Sequence, residues 1–137
     1  MGGNRLQRVW IVDDSDIDLF LQKRLMELMQ FATEIVMHKS PTVALQELAS
    51  ASPSHWPDLI FLDLNMPVVN GIQFLEQMSE LRIKLGEESC RVIMLTSSTN
   101  FQDSRAAKAF PFVTDFISKP LTQPVLQDLQ RVLVPVK

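Results

Sequence analysis

Apolar runs alternate along the chain with segments whose apolar positions recur at helical spacing. "RVWIVDD" (Arg8 to Asp14) is a short β-prone run ending in acid. "SDIDLFLQKRLMELMQ" follows, with Ile17, Phe20, Leu21, Leu25 and Leu28 at helical spacing, Ser15 as N-cap and Asp18 three residues later. "EIVMHK" (Glu34 to Lys39) predicts a second strand. "SPTVALQELAS" predicts a helix with Ser40 as N-cap and Pro41 at its first position. "SASPSHWP" is a loop by its Ser and Pro content. "DLIFLD" is a continuous apolar run, as in parallel strands covered on both faces. "GIQFLEQMSELRIKL" is helical, with Ile72, Leu75, Met78 and Leu81 or Arg82 on one stripe, and "GEESC" breaks it. "RVIMLTSS" is a fourth strand and "NFQDSRAAKAF" a short helix. "DFISKP" is a fifth strand stopped by Pro120, and "TQPVLQDLQRVLV" is the last helix.

Strand and helix thus alternate through the whole chain. This predicts an α/β, flavodoxin-like, doubly wound parallel sheet of five strands in the order 2-1-3-4-5, with five helices on its two faces. It does not fit an eight-unit barrel. In such sheets the ligand site lies beyond the C-terminal strand ends. There the first strand presents Asp13 and Asp14, and the third presents Asp63. The fourth presents Thr96, Ser97 and Ser98, and the fifth Ser118, Lys119 and Pro120. The second, an edge strand, offers only His38 and Lys39.

The 137 residues suit one domain, long enough to bury roughly two thirds of the unfolded surface. A net charge of −3 gives no reason to expect nucleic acid as a partner. Cys90 is the single cysteine, so no internal disulfide forms and a cytoplasmic setting is expected. No stretch approaches the roughly 20 apolar residues of a membrane span. The N-terminus is no secretory signal, and Leu6 stands where a myristoylation site wants Ser or Thr.

Three carboxylates at one end of a sheet repel one another unless counter-charge is present. Lys119 supplies one positive charge, and a Mg²⁺ ion would balance the rest. The donors are oxygens with no His and Cys cluster, which argues against zinc. One carboxylate can attack phosphorus and carry the group as an acyl phosphate. A metal, an ammonium and a hydroxyl can neutralise the phosphoryl oxygens. No glycine-rich nucleotide loop is present.

"IVDDS", "DLIFLDLNMPVVNG", "VIMLTSS" and "DFISKPL", in that order, resemble the receiver domain of bacterial two-component response regulators. The resemblance covers roughly Arg8 to Val134 and implies a single stand-alone, CheY-like receiver domain over residues 1–137 with no output domain. By resemblance, Asp63 is the phosphoacceptor. Asp14 ligates Mg²⁺ directly, Asp13 acts through water, and Asn65 lends its backbone carbonyl. Thr96 is the switch hydroxyl, Lys119 pairs with a phosphoryl oxygen, Lys119–Pro120 is often cis, and Phe116 is the switch aromatic that turns inward. The implied donor is a sensor histidine kinase or a histidine phosphotransfer protein. The implied output is a downstream protein docking on the fourth helix, fifth strand and fifth helix. Ser98 lies where relatives tune the lifetime of the phosphorylated state.

Phe116 departs from the more common Tyr, "SELRIKLGEESC" is longer than usual and extends the third helix, and "AFPFVTDF" replaces a common Gly-Ala pair. A haloacid-dehalogenase-type phosphatase needs a second aspartate two residues after the nucleophile, where this chain has Asn65. A flavin carrier of the same fold needs a phosphate loop that the acidic "VDDSDID" would repel. His38 and His55 are expected on the surface, Cys90 as a structural thiol, and Met26, Met29 and Met78 in the core. "FPFV" (Phe110 to Val113) is expected as a buried helix end.

Overall fold

Every residue of the third strand, β3 (Leu59–Asp63), is buried, which requires cover on both faces. The computed structural model, which describes residues 5–97 and 101–133, supplies that cover. β1 (Leu6–Val12), α1 (Asp16–Leu28), β2 (Ala32–His38) and α2 (Pro41–Ser50) precede β3. α3 (Gly71–Leu85), β4 (Arg91–Thr96), α4 (Phe101–Lys108), β5 (Val113–Ser118) and α5 (Gln123–Leu133) follow it. The strands pair in parallel in the order β2-β1-β3-β4-β5. Ser98 and Val134 lie outside the described residues.

Side chains alternate across each strand, so one sheet divides two cores. Val9 and Ile11 of β1 and Phe61 of β3 pack with Leu19 and Met26 of α1 and Leu126 and Leu129 of α5. Trp10, Val12, Ile60 and Leu62 pack on the other face with residues of α2 and α3. The Asp58 side chain clips the start of the sheet, its Oδ2 accepting from the backbone N–H of Gln7 (2.8 Å) and Arg8 (3.1 Å).

Local signals set the helix starts. Ser15 and Ser40 cap α1 and α2 by accepting from Asp18 and Val43 backbone N–H, both at 3.2 Å. Asn70 and Gln73 form a reciprocal capping box on α3, with both bonds at 2.9 Å. The segment after α3 is tied down by local bonds. Gly86 ends the helix at φ +73°, and the buried Glu87 carboxylate accepts from Ser89 and Cys90 N–H, both at 2.6 Å. The Arg82 guanidinium lies 4.4 Å from the centre of the Phe112 ring and donates to the Cys90 carbonyl. Cys90 is buried, and burial pushes its thiol pKa up. "FPFV" is not the buried helix end expected: it lies past the end of α4 and leads into β5, with Phe112 buried, Phe110 half-buried and Pro111 exposed.

One further expectation is corrected, and the apolar spacing of α1 proves to mark its outer face. The α1 stripe of Ile17, Phe20, Leu21 and Leu28 faces solvent, each more than half exposed, and of the predicted set only Leu25 packs partly inward. The core-facing residues are Leu19, Gln22 and Met26, on the opposite side of the helix. α1 carries apolar residues on both sides, and periodicity ranks the richer stripe, which here is the outer one. His38 is buried, not on the surface. Its ring sits 4.2 Å from that of Trp10, and its Nε2 lies 3.9 Å from Glu47. Burial lowers its pKa, with the Glu47 carboxylate opposing.

Candidate functional site

The parallel sheet brings the ends of β1, β3, β4 and β5 to one edge. Carboxylate oxygens of Asp13, Asp14 and Asp63 all lie within 4.8 Å of one another there. Asp13 and Asp63 are buried and Asp14 half-buried. Asp13 is fixed by the Ser15 backbone N–H (2.9 Å) and the Gln22 side-chain amide (3.3 Å). Asp63 is the last residue of β3, and the Asn65 N–H approaches its Oδ1 at 3.4 Å.

Lys119 reaches into the cluster from the end of β5. Its backbone N–H donates to the Thr96 carbonyl at 2.7 Å, tying it to β4, and the Lys119–Pro120 bond is cis. Its ammonium lies 2.8 Å from Asp13 Oδ2, 2.8 Å from Asp18 Oδ2 and 3.4 Å from Asp63 Oδ1. Thr96 is fully buried at the end of β4, and the exposed Asn65 brings its side-chain amide within 3.5 Å of Thr96 Oγ1. Phe116 is not part of the cluster. It lies half-buried on β5 in register with Met94. Asp18 and Gln22 are the residues that sequence reasoning missed here. Their one signal was position, since the first turns of the helix after β1 must pass over the strand ends.

Electrostatics follow from this crowding. Burial, and then the charge of Asp13, raise the Asp63 carboxyl to about 6, against the pull of Lys119 and the Asn65 N–H. Burial alone would lower the Lys119 pKa. Its hydrogen bonds to Asp13 and Asp18 and the nearby charges of Asp13 and Asp63 outweigh that and hold it charged well above the usual lysine range. Three carboxylates against one ammonium, itself shared with Asp18, leave negative charge uncompensated. The donor set is hard oxygen, which fits Mg²⁺ and not a thiophilic metal.

A pH effect follows, with its sign set by the raised value. Between the ordinary carboxyl value of 3.8 and about 6, folded Asp63 keeps a proton that the unfolded chain has released. Its contribution to stability is therefore present at low pH and lost as pH rises through about 6. Thermal melts from about pH 4 to about pH 7 are expected to show this loss in wild type and a smaller one in Asp63→Asn. Identical slopes in the two proteins would contradict it.

Comparison with known proteins places this geometry. The family described as response regulator receiver domain matches residues 9–131. A protein-glutamate methylesterase/protein-glutamine glutaminase of Burkholderia thailandensis is 32% identical over 114 residues. That match takes in 82% of this chain but 29% of the relative, so the chain spans under a third of its length. A two-component response regulator structure from Cytophaga hutchinsonii superposes with a TM-score of 0.81 at 29% identity, over 96% of this chain and 99% of that one. The receiver of the Saccharomyces cerevisiae response regulator Ssk1, solved with the histidine phosphotransfer protein Ypd1, shares the fold at TM-score 0.77 and 20% identity, over 95% and 90%. Strand order, site position and family match agree, and the chain belongs to the response regulator receiver domain family.

Proposed function

We propose that Asp63 accepts a phosphoryl group from a phosphohistidine, making the chain a phosphorelay switch rather than an enzyme that turns over a substrate. One observation carries the reading. A buried carboxylate with a raised pKa ends a rigid central strand, facing both an acid pair and an ammonium. An Asp63 oxygen bonds to phosphorus as the phosphorus–nitrogen bond breaks, and the electron pair of that bond returns to the imidazole. Asp13, Asp14, Asp63 and the Asn65 carbonyl would hold Mg²⁺, which supplies positive charge to the phosphoryl oxygens. Thr96 and Lys119 bond those oxygens. The shift of Thr96 makes room for Phe116 to rotate inward, and the α4, β5 and α5 surface changes for a downstream protein.

Wild-type protein given Mg²⁺ and a phosphohistidine donor or acetyl phosphate is expected to gain acid-stable, base-labile phosphate. A protein that gains none, or that instead turns over small phosphoesters steadily, would sink this reading.

The Ssk1 receiver was captured with a phosphotransfer protein, which supports a donor of that class here. A donor protein that presents its histidine to Asp63 must cover the rim of the site. On that rim Leu21 and Leu25 of α1 line a 300 Å³ groove with Asp18, Lys119, Pro120 and Leu121. The exposed strip of Ile17, Phe20, Leu21 and Leu28 runs along the same helix. Side chains of this kind gain roughly 1.5–3 kcal/mol each when fully buried. Phe20→Asp is expected to slow transfer from a phosphotransfer protein about tenfold or more, while labelling by acetyl phosphate stays unchanged. Equal loss with both donors would show that the strip is not where the donor sits.

A further inference from the structure

We infer that Asp18 is a positioning residue for Lys119, holding its ammonium on the α1 side of the site in competition with a phosphoryl group on Asp63. The inference rests on the phosphoacceptor reading above and adds a control to it.

A lysine ammonium has three N–H donors. Two contacts of the Lys119 ammonium are short, to Asp13 and Asp18 at 2.8 Å each, while Asp63 waits at 3.4 Å. A phosphoryl oxygen on Asp63 needs a short, charge-assisted bond from this same ammonium. The third N–H is left for that oxygen, and drawing the ammonium towards it from 3.4 Å lengthens one of the two short contacts. Asp13 is buried and already bonded to the Ser15 N–H and the Gln22 amide, so leaving it without Lys119 is costly. The Asp18 side chain is 36% exposed, so water can replace the ammonium there. Asp18 is thus the partner that gives way, and its pull on Lys119 opposes the phosphorylated state.

A plainer role competes with this one. Asp18 lies in the first turn of α1, where a carboxylate favours the helix N-terminus. That role does not pass through Lys119, so a double-mutant cycle separates the two.

The probe is beryllofluoride, a phosphoryl mimic, titrated calorimetrically with Mg²⁺ present. Asp18→Asn is expected to bind it about three- to tenfold more tightly than wild type, the range set by a short but partly exposed ion pair. Asp18→Glu, which keeps the charge, is expected to stay near wild type. In a Lys119→Met background the gain from Asp18→Asn should fall below about twofold. If the full gain persists without Lys119, or Asp18→Asn binds no more tightly, the inference is overturned while the phosphoacceptor reading stands. If wild type binds no beryllofluoride, that reading falls and takes this inference with it.

Discussion

Asp63→Asn is expected to abolish phosphate incorporation from acetyl phosphate and Mg²⁺, a loss of at least about a thousandfold against wild type. The substitution keeps the shape of the side chain and removes its charge. A carboxamide oxygen is a poor nucleophile and cannot form the acyl phosphate. Loss of folding does not confound the result. Asp63 is buried beside Asp13, and near neutral pH its charge is a burden on the folded state. Asp63→Asn therefore melts at or above the wild-type temperature. Phosphate content after acid quench, with base lability as the chemical signature, decides the matter. Equal labelling of the variant would move the acceptor elsewhere in the cluster.

Gly71→Ala has the largest expected effect on stability. A Cβ at this position would stand 2.8 Å from the Leu64 Cα, 2.9 Å from the Asp63 carbonyl oxygen and 2.9 Å from the Met94 Cε. Two of those neighbours are backbone and cannot swing aside. The Gly71 N–H also donates to the Leu64 carbonyl at 2.8 Å, which closes the loop between β3 and α3. Overpacking of this kind costs about 1–3 kcal/mol, or about 4–12 °C in Tm. The displaced backbone carries Asp63, so labelling is expected to fall as well. Gly86→Ala is the control. Its φ of +73° disfavours a side chain, but nothing lies within 4 Å of an added Cβ. It is expected to lose about 1 kcal/mol and to label normally. If Gly71→Ala melts no lower than Gly86→Ala and labels fully, the close approach is not what constrains this glycine.

The strand order and the placing of Asp13, Asp14, Asp63 and Lys119 were legible in the sequence for one reason. Continuous apolar runs ending in polar residues mark parallel strands and their C-terminal edge together. Caps such as Ser15, Ser40 and Asn70 were legible too, or could have been, because their partners lie three residues away. What the sequence hid depends on side-chain direction across elements. The inner face of α1 includes the polar Gln22, while its outer face is the more apolar one, so apolar spacing by itself does not say which side is buried. His38 ends an edge strand, yet its ring turns onto Trp10, a contact that only the β1–β2 register creates. The pairing of Asp18 with Lys119 spans 101 positions in sequence, and no local pattern announces it.

The division of the interior by the sheet bears on how the family can change length. Ile11 belongs to one core and Val12 to the other, a single residue apart. Inserting or deleting one residue within β1 would exchange the membership of both cores at once and slide Asp13 and Asp14 along the edge. Strand lengths in this chain are therefore close to fixed. Length variation has to be absorbed in the connections, such as the turn after α3, which Gly86 and Glu87 close with local bonds of their own.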